Sequence, residues 1–230
     1  MSTIPHRIER TRNRTSRAVL KGDVIVIRLA RSLTASEERR HIESLLRRMG
    51  RVVIRERARA PIDPFAPLLD GGDELALTIT NDRLVRFRLV PGSSTKARWK
   101  KDGWDVRVSP HLRRQQLHRL LWKLLAEREL PHLETLVLHI NDAAFGERTR
   151  SVRLGYAATQ WGSCSRRGDI MLNAALLLVP EPLLHYVICH ELAHIRHPNH
   201  SKTYWQTVER AFPDYRAAIR TLRGFRICSL

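Results

Sequence analysis

Residues 183–201 read LLHYVICHELAHIRHPNHS, and within them His190-Glu191-Leu192-Ala193-His194 sets two imidazoles four residues apart. On a helix, that spacing puts both rings on one face, one turn apart, where they can bind a single zinc ion. Glu191, one residue round the helix, can then reach a water on the metal. The helix itself is predicted from Leu183 to about Arg196, started by Val179-Pro180-Glu181-Pro182 and carried by Leu183, Val187 and Ile188. An amphipathic helix with surface histidines would explain the apolar residues. It would not explain two imidazoles beside a glutamate on a segment apolar enough to be buried, where unpartnered imidazoles are costly.

A catalytic zinc usually takes three protein ligands and keeps one position open. His197 lies seven residues after His190 and His200 ten after it. Pro198 disfavours helical geometry at His197, and Asn199 tolerates a turn, so the chain is expected to double back there. That favours His200 as the third ligand and leaves His197 to support the site or to face substrate. Ser201 is a helix N-cap for the segment carrying Tyr204 and Trp205. Tyr204 is either a packing residue or, with His197, a candidate second donor to the oxyanion, and Trp205 is read as core.

Upstream, Val152 to Ala158 and Ile170 to Leu172 are predicted strands on either side of a turn containing Gly162 and Gly168. Trp161, Gly162 and Ser163 are then placed at a sheet edge beside the zinc helix, where an extended substrate could add as a strand, although core packing explains Trp161 equally well. Cys164 and Cys189 read as small buried fillers rather than as nucleophile or ligand. From Ser109-Pro110 a helical stripe runs through Leu117, Leu120, Leu121, Leu124 and Leu125 and stops before Pro131. Leu133 to Ile140 follows as a further helix.

The first hundred residues read as β-rich around one helix. Val24-Ile25-Val26-Ile27 is a buried strand, and Thr34-Ala35-Ser36-Glu37 has the form of a capping box. Leu75 to Ile79 and Leu84 to Leu89 pair as a hairpin across Asn81-Asp82, Pro91 to Lys101 is a loop, and Trp104 to Val108 is a strand. The predicted fold is therefore α+β: a β-rich N-terminal part packed with a helical, zincin-like core bearing the motif helix and a short edge β-hairpin. The boundaries expected are a basic tail over 1–17, a β-rich part over 18–108 and a core bearing the motif helix over 109–230, the last two forming either separate or one compact unit.

Among 230 residues, 41 Lys+Arg oppose 23 Asp+Glu, a formal charge of +18, with 43% hydrophobic residues. Wholesale disorder is excluded, and no apolar stretch approaches the ~20 residues of a membrane helix. The arginine-rich opening admits a transit peptide, yet it runs straight into a strand pattern. Three scattered cysteines suit a reducing cytoplasm. The charge makes DNA a candidate partner, with Arg47, Arg48, Arg51, Arg55, Arg57 and Arg59 as the densest block, a run that also suits a plain solvated face.

Taken together, Trp161-Gly162-Ser163-Cys164-Ser165, Ile170, Asn173, the run from His190 to Ser201, Tyr204-Trp205 and Pro213-Asp214-Tyr215 closely resemble the YgjP-like metallopeptidases, related to the SprT and WLM zinc peptidases. The likeness is densest over residues 152–223. It implies a zinc peptidase that hydrolyses peptide bonds of a protein or peptide substrate by a zinc-bound water activated by Glu191. Relatives in the SprT and WLM groups act on proteins attached to DNA, which extends the implication to DNA-associated substrates. The alternative is a nucleic-acid-binding module with a structural or vestigial zinc site. One departure stands out: members usually carry Arg immediately before the tryptophan, and this chain has Gln160.

Overall fold

An uninterrupted β-branched run belongs in the middle of a sheet, with neighbours on both edges. The computed structural model, which describes residues 5–21 and 24–228, places that run in β3 (Val24–Leu29). It lies between β1 (His6–Arg10), to which it is parallel, and β2 (Arg17–Lys21), to which it is antiparallel. Helix α1 (Ala35–Arg57) follows, opened by the expected capping box: the Thr34 N–H donates to Glu37 Oε2 at 2.8 Å and the Glu37 N–H to Thr34 Oγ1 at 3.3 Å. Met49 and Val53 on α1 share a small core with Ile25, Ile27 and Leu29. Arg47, Arg48, Arg51 and Arg55 face solvent on the other side. These elements form one unit, ending at Ala60; a second runs from Pro61 to Cys228.

In the second unit, short pieces β4 (Ala60–Ile62) and α2 (Ala66–Leu69) lead into a four-stranded sheet. Its strands are β5 (Glu74–Ile79), β6 (Arg83–Pro91), β7 (Lys96–Lys100) and β8 (Gly103–Val108), in the order β5-β6-β8-β7. The β5–β6 hairpin turns at Asn81 and Asp82, which both take positive φ (61° and 52°), a conformation these two residue types tolerate. Strand β7 corrects the expected loop over Pro91 to Lys101. Lys96-Ala97-Arg98-Trp99-Lys100 alternates strictly, with Ala97 and Trp99 packed on the core and the cations outward, so its polarity hid a period of two.

Helix α3 (Arg114–Ala144) corrects two further expectations. It starts at Arg114 rather than Ser109, because the Ser109 hydroxyl and carbonyl are spent on a local turn with the His111 and Leu112 N–H groups. It also continues through Pro131. A mid-helix proline costs about 3 kcal/mol, and burial of Leu125 and Ala126 before it and Leu133 and Val137 after it in one core outweighs that.

A three-stranded sheet follows: β9 (Ser151–Gly155), β10 (Gly162–Cys164) and β11 (Asp169–Asn173), in the order β10-β11-β9. Strand β9 ends at Gly155, short of the expected Ala158, because the next segment is pinned differently: Asn173 Nδ2 donates to the carbonyls of Ala157 (2.6 Å) and Gln160 (2.8 Å). Helices α4 (Glu181–Arg196), α5 (Lys202–Ala211) and α6 (Tyr215–Leu222) come next, and β12 (Phe225–Ile227) pairs with β4. Helix α4 packs against α3, α5, α6, β10 and β11. The architecture is mixed α+β, with six α-helices and several small sheets among the described residues. None of those helices is long and apolar enough to cross a membrane.

Candidate metal centre

Helix α4 is buried on most of its circumference, through Leu183, Leu184, Val187, Ile188, Leu192 and Ala193. His190 and His194 occupy its partly exposed side, with ring centroids 5.0 Å apart. The helix stops at Arg196, and His197 takes the extended conformation (φ −123°, ψ 95°) that a following proline imposes. The chain then reverses, and Ser201 caps α5 by accepting from the Tyr204 N–H at 3.3 Å. This reversal returns His200 to the helix: its ring centroid is 5.1 Å from that of His190 and 4.8 Å from that of His194. Each of the three rings has a nitrogen within 4.8 Å of the others.

The hydrogen bonds around the rings settle which nitrogens are available. His194 Nδ1 lies 3.1 Å from the His197 carbonyl, which can only accept, so Nδ1 carries the proton and Nε2 keeps its lone pair. His190 Nδ1 is 3.3 Å from the Tyr186 hydroxyl, and its Nε2 is 3.3 Å from His200 Nε2. Burial, followed by the neighbouring histidines, drives the pKa of His190 down to about 3 and lowers that of His194 as well. Both rings are thereby held neutral, the form that ligates a metal. Imidazole donors converging without an acid among them suit a borderline-soft divalent cation, so the donor set fits a metal such as zinc.

Glu191 is buried beside the cluster, and desolvation pushes its pKa up to about 7. Strand β10 is the end strand of its sheet and approaches so closely that a Cβ on Gly162 would lie 2.6 Å from Glu191 Oε1. Only glycine leaves that carboxylate its place. Ser163 and Trp161 flank it, with Trp161 packed partly on the core. Ser165 donates to one oxygen of Asp169 at 3.0 Å, which secures the β10–β11 turn, and Ser151 donates to the other at 2.8 Å, which ties β9 to β11.

The two other candidates support rather than join the cluster. His197 Nε2 meets Thr207 Oγ1 at 3.1 Å while its carbonyl orients His194. Tyr204 is fully buried; its hydroxyl donates to the His190 carbonyl at 3.1 Å and its ring lies 4.7 Å from those of His194 and His200. Burial raises the thiol of Cys164 to about 11 and that of Cys189 to about 12, so neither is a ready thiolate. Sequence reasoning missed Tyr186, although its position one turn before His190 marks it, and assigned Trp205 to the core. Trp205 does pack partly on that core, and its indole also stacks on His200 (5.5 Å, 22°) and on Tyr215 (5.3 Å, 20°).

The sequence model of the YgjP-like metallopeptidase domain matches residues 7–225. The chain belongs to the YgjP-like family. It is a metallopeptidase, a hydrolase that works with a metal ion on peptide or protein substrates. A solved structure of the metallopeptidase zymogen abylysin from Pyrococcus abyssi is 28% identical, over 42% of this chain and 99% of that one, with a TM-score of 0.35. No curated protein matches the chain. At the position where the resemblance to YgjP-like members leads one to expect arginine, the Gln160 side chain is exposed, and its backbone carbonyl accepts from Asn173 Nδ2.

Proposed function

We propose that this YgjP-like chain is a zinc-dependent peptidase with a zincin-like core, in which His190, His194 and His200 hold the metal and Glu191 is the general base. The observation that carries this reading is the convergence of three imidazoles beside a buried carboxylate, directly under an edge strand. Three donors rather than four favour a catalytic over a structural site, and so over a nucleic-acid module with a vestigial centre. When bound, zinc supplies Lewis acidity that polarises the scissile carbonyl and acidifies water.

The chain's own residues do the rest. The His197 carbonyl and the Tyr186 hydroxyl turn His194 and His190 so that each presents Nε2. Glu191 takes a proton from the attacking water at a carboxylate oxygen and hands it to the leaving amine nitrogen. The burial that raises its pKa suits it to hold that proton between the two steps. The open edge of β10, through Trp161, Gly162 and Ser163, pairs with an extended substrate backbone and lays the scissile bond over Glu191.

The +18 charge favours DNA-associated protein substrates, and the free thiols of Cys164, Cys189 and Cys228 suit a reducing cytoplasm. The test is Glu191→Gln, with metal content and peptide cleavage measured on the same preparation. Zinc is retained and turnover disappears; a zinc-loaded variant that still cleaves peptide refutes the role of Glu191.

A further inference from the structure

One face of the four-stranded sheet packs on the core through Val85, Phe87, Val106 and Trp99, and the opposite face is left to solvent. The strand register assembles on that open face Arg86, Arg88, Lys96, Arg98, Lys100 and Arg107. Three acids answer them: Arg86 pairs with Asp102 (3.2 Å), Arg88 with Glu74 (3.5 Å) and Asp105 (3.4 Å), and Lys100 with Asp105 (2.5 Å). Lys96, Arg98 and Arg107 have no acidic partner among the described residues.

Lys96 and Arg107 are also direct cross-strand partners. Like charges placed opposite each other on an exposed sheet destabilise the pairing. The Arg107 stem lies across Gly92, where any side chain would collide with it. Together with Val90, Lys100 and Asp105, the three unpaired cations line a hollow in the twisted face. Some of the exposed arginines of α1 have another explanation: Arg55 and Arg57 lie in its last turn, where cations complement the helix dipole, and Arg47 pairs with Glu43 at 2.9 Å. No backbone dipole accounts for the sheet face, because strand dipoles largely cancel.

We infer that this face is a docking surface for the phosphate backbone of duplex DNA, held by Lys96, Arg98 and Arg107. The choice of partner follows from what the face lacks. Trp99 and Trp104 point to the core side, with Arg128 stacked on Trp99, so no aromatic platform is offered to unstacked bases. Binding is then sequence-independent and salt-dependent, and it is independent of the peptidase chemistry proposed above.

The experiment uses the full chain and a fluorescent duplex of mixed sequence, with anisotropy titrations at 50 and 200 mM salt. Neutralising all three cations as Lys96→Gln/Arg98→Gln/Arg107→Gln removes three phosphate contacts and reduces the slope of log affinity against log salt by about 2.7. Between the two salt concentrations the unaltered chain therefore loses about 40-fold more affinity than the variant. A matched control, Arg47→Gln/Arg51→Gln/Arg55→Gln on α1, keeps nearly the full slope, and thermal melts show that both variants remain folded. Should the sheet variant misfold, the single change Arg98→Gln lowers the slope by about 0.9. An unchanged slope in a folded sheet variant overturns the inference. So does loss of binding confined to the α1 control, or preference for polyglutamate or single-stranded DNA over the duplex.

Discussion

Adding one methyl group at Gly162 tests the contact on which the candidate site most depends. A Cβ there would lie 2.6 Å from Glu191 Oε1 and 2.9 Å from both Cδ and Cγ, so restoring ordinary contact at about 3.4 Å requires the carboxylate to move by about 0.8 Å. Glu191 is only 5% exposed, and its neighbours close the easy way out. Overpacking of this kind costs about 1–3 kcal/mol of stability. A displacement approaching 1 Å at a catalytic group costs about 100-fold in rate. Gly162→Ala is therefore expected to lower kcat/KM about 100-fold while the imidazoles, which it does not touch, keep their metal. Peptide cleavage, metal content and a thermal melt on the same sample separate these effects. Shortening the carboxylate in Gly162→Ala/Glu191→Asp relieves the overlap and recovers part of the lost stability. A Gly162→Ala enzyme with activity within twofold of the parent, or one that fails only because its metal is gone, refutes the steric argument.

Further outcomes follow from the same geometry. His200→Ala is expected to lose the metal, whereas His197→Ala, whose ring meets Thr207, retains it; metal analysis showing the reverse would exchange their roles. Tyr186→Phe removes the hydroxyl at His190 Nδ1 and should weaken metal affinity about 10- to 100-fold in a chelator competition, with activity returning at saturating metal. Asn173→Ala strands the carbonyls of Ala157 and Gln160 and the Ala175 N–H, at a cost of about 3 kcal/mol; Tm should fall by about 6–12 °C, and an unchanged Tm would show that the loop before β10 holds itself.

Local stereochemistry carried much of the site into the sequence. The four-residue spacing of His190 and His194 is a helical spacing, Pro198 forbids helix at His197, and Ser201 opens the next helix, so the return of His200 is written within a dozen residues. The capping box at Thr34 and the β-branched run of β3 are legible for the same reason: their partners are near in sequence, or the residue type has few conformations open to it. Strand β7 and the passage of α3 through Pro131 were harder to read, because each depends on whether distant apolar surface is available to cover Ala97 and Trp99, or Leu133 and Val137.

The sequence by itself determined the motif helix, the turn after it and the donor types, because helical period and proline sterics act over a few residues whatever the rest of the chain does. Only the tertiary structure decided what surrounds those donors. Gly162 reaches Glu191 from 29 residues away, Thr207 claims the His197 ring, Trp205 covers His200, and the strand order brings Lys96 opposite Arg107. Contacts of that kind depend on the packing of whole elements and on sheet order, and no local preference of the residues involved encodes them.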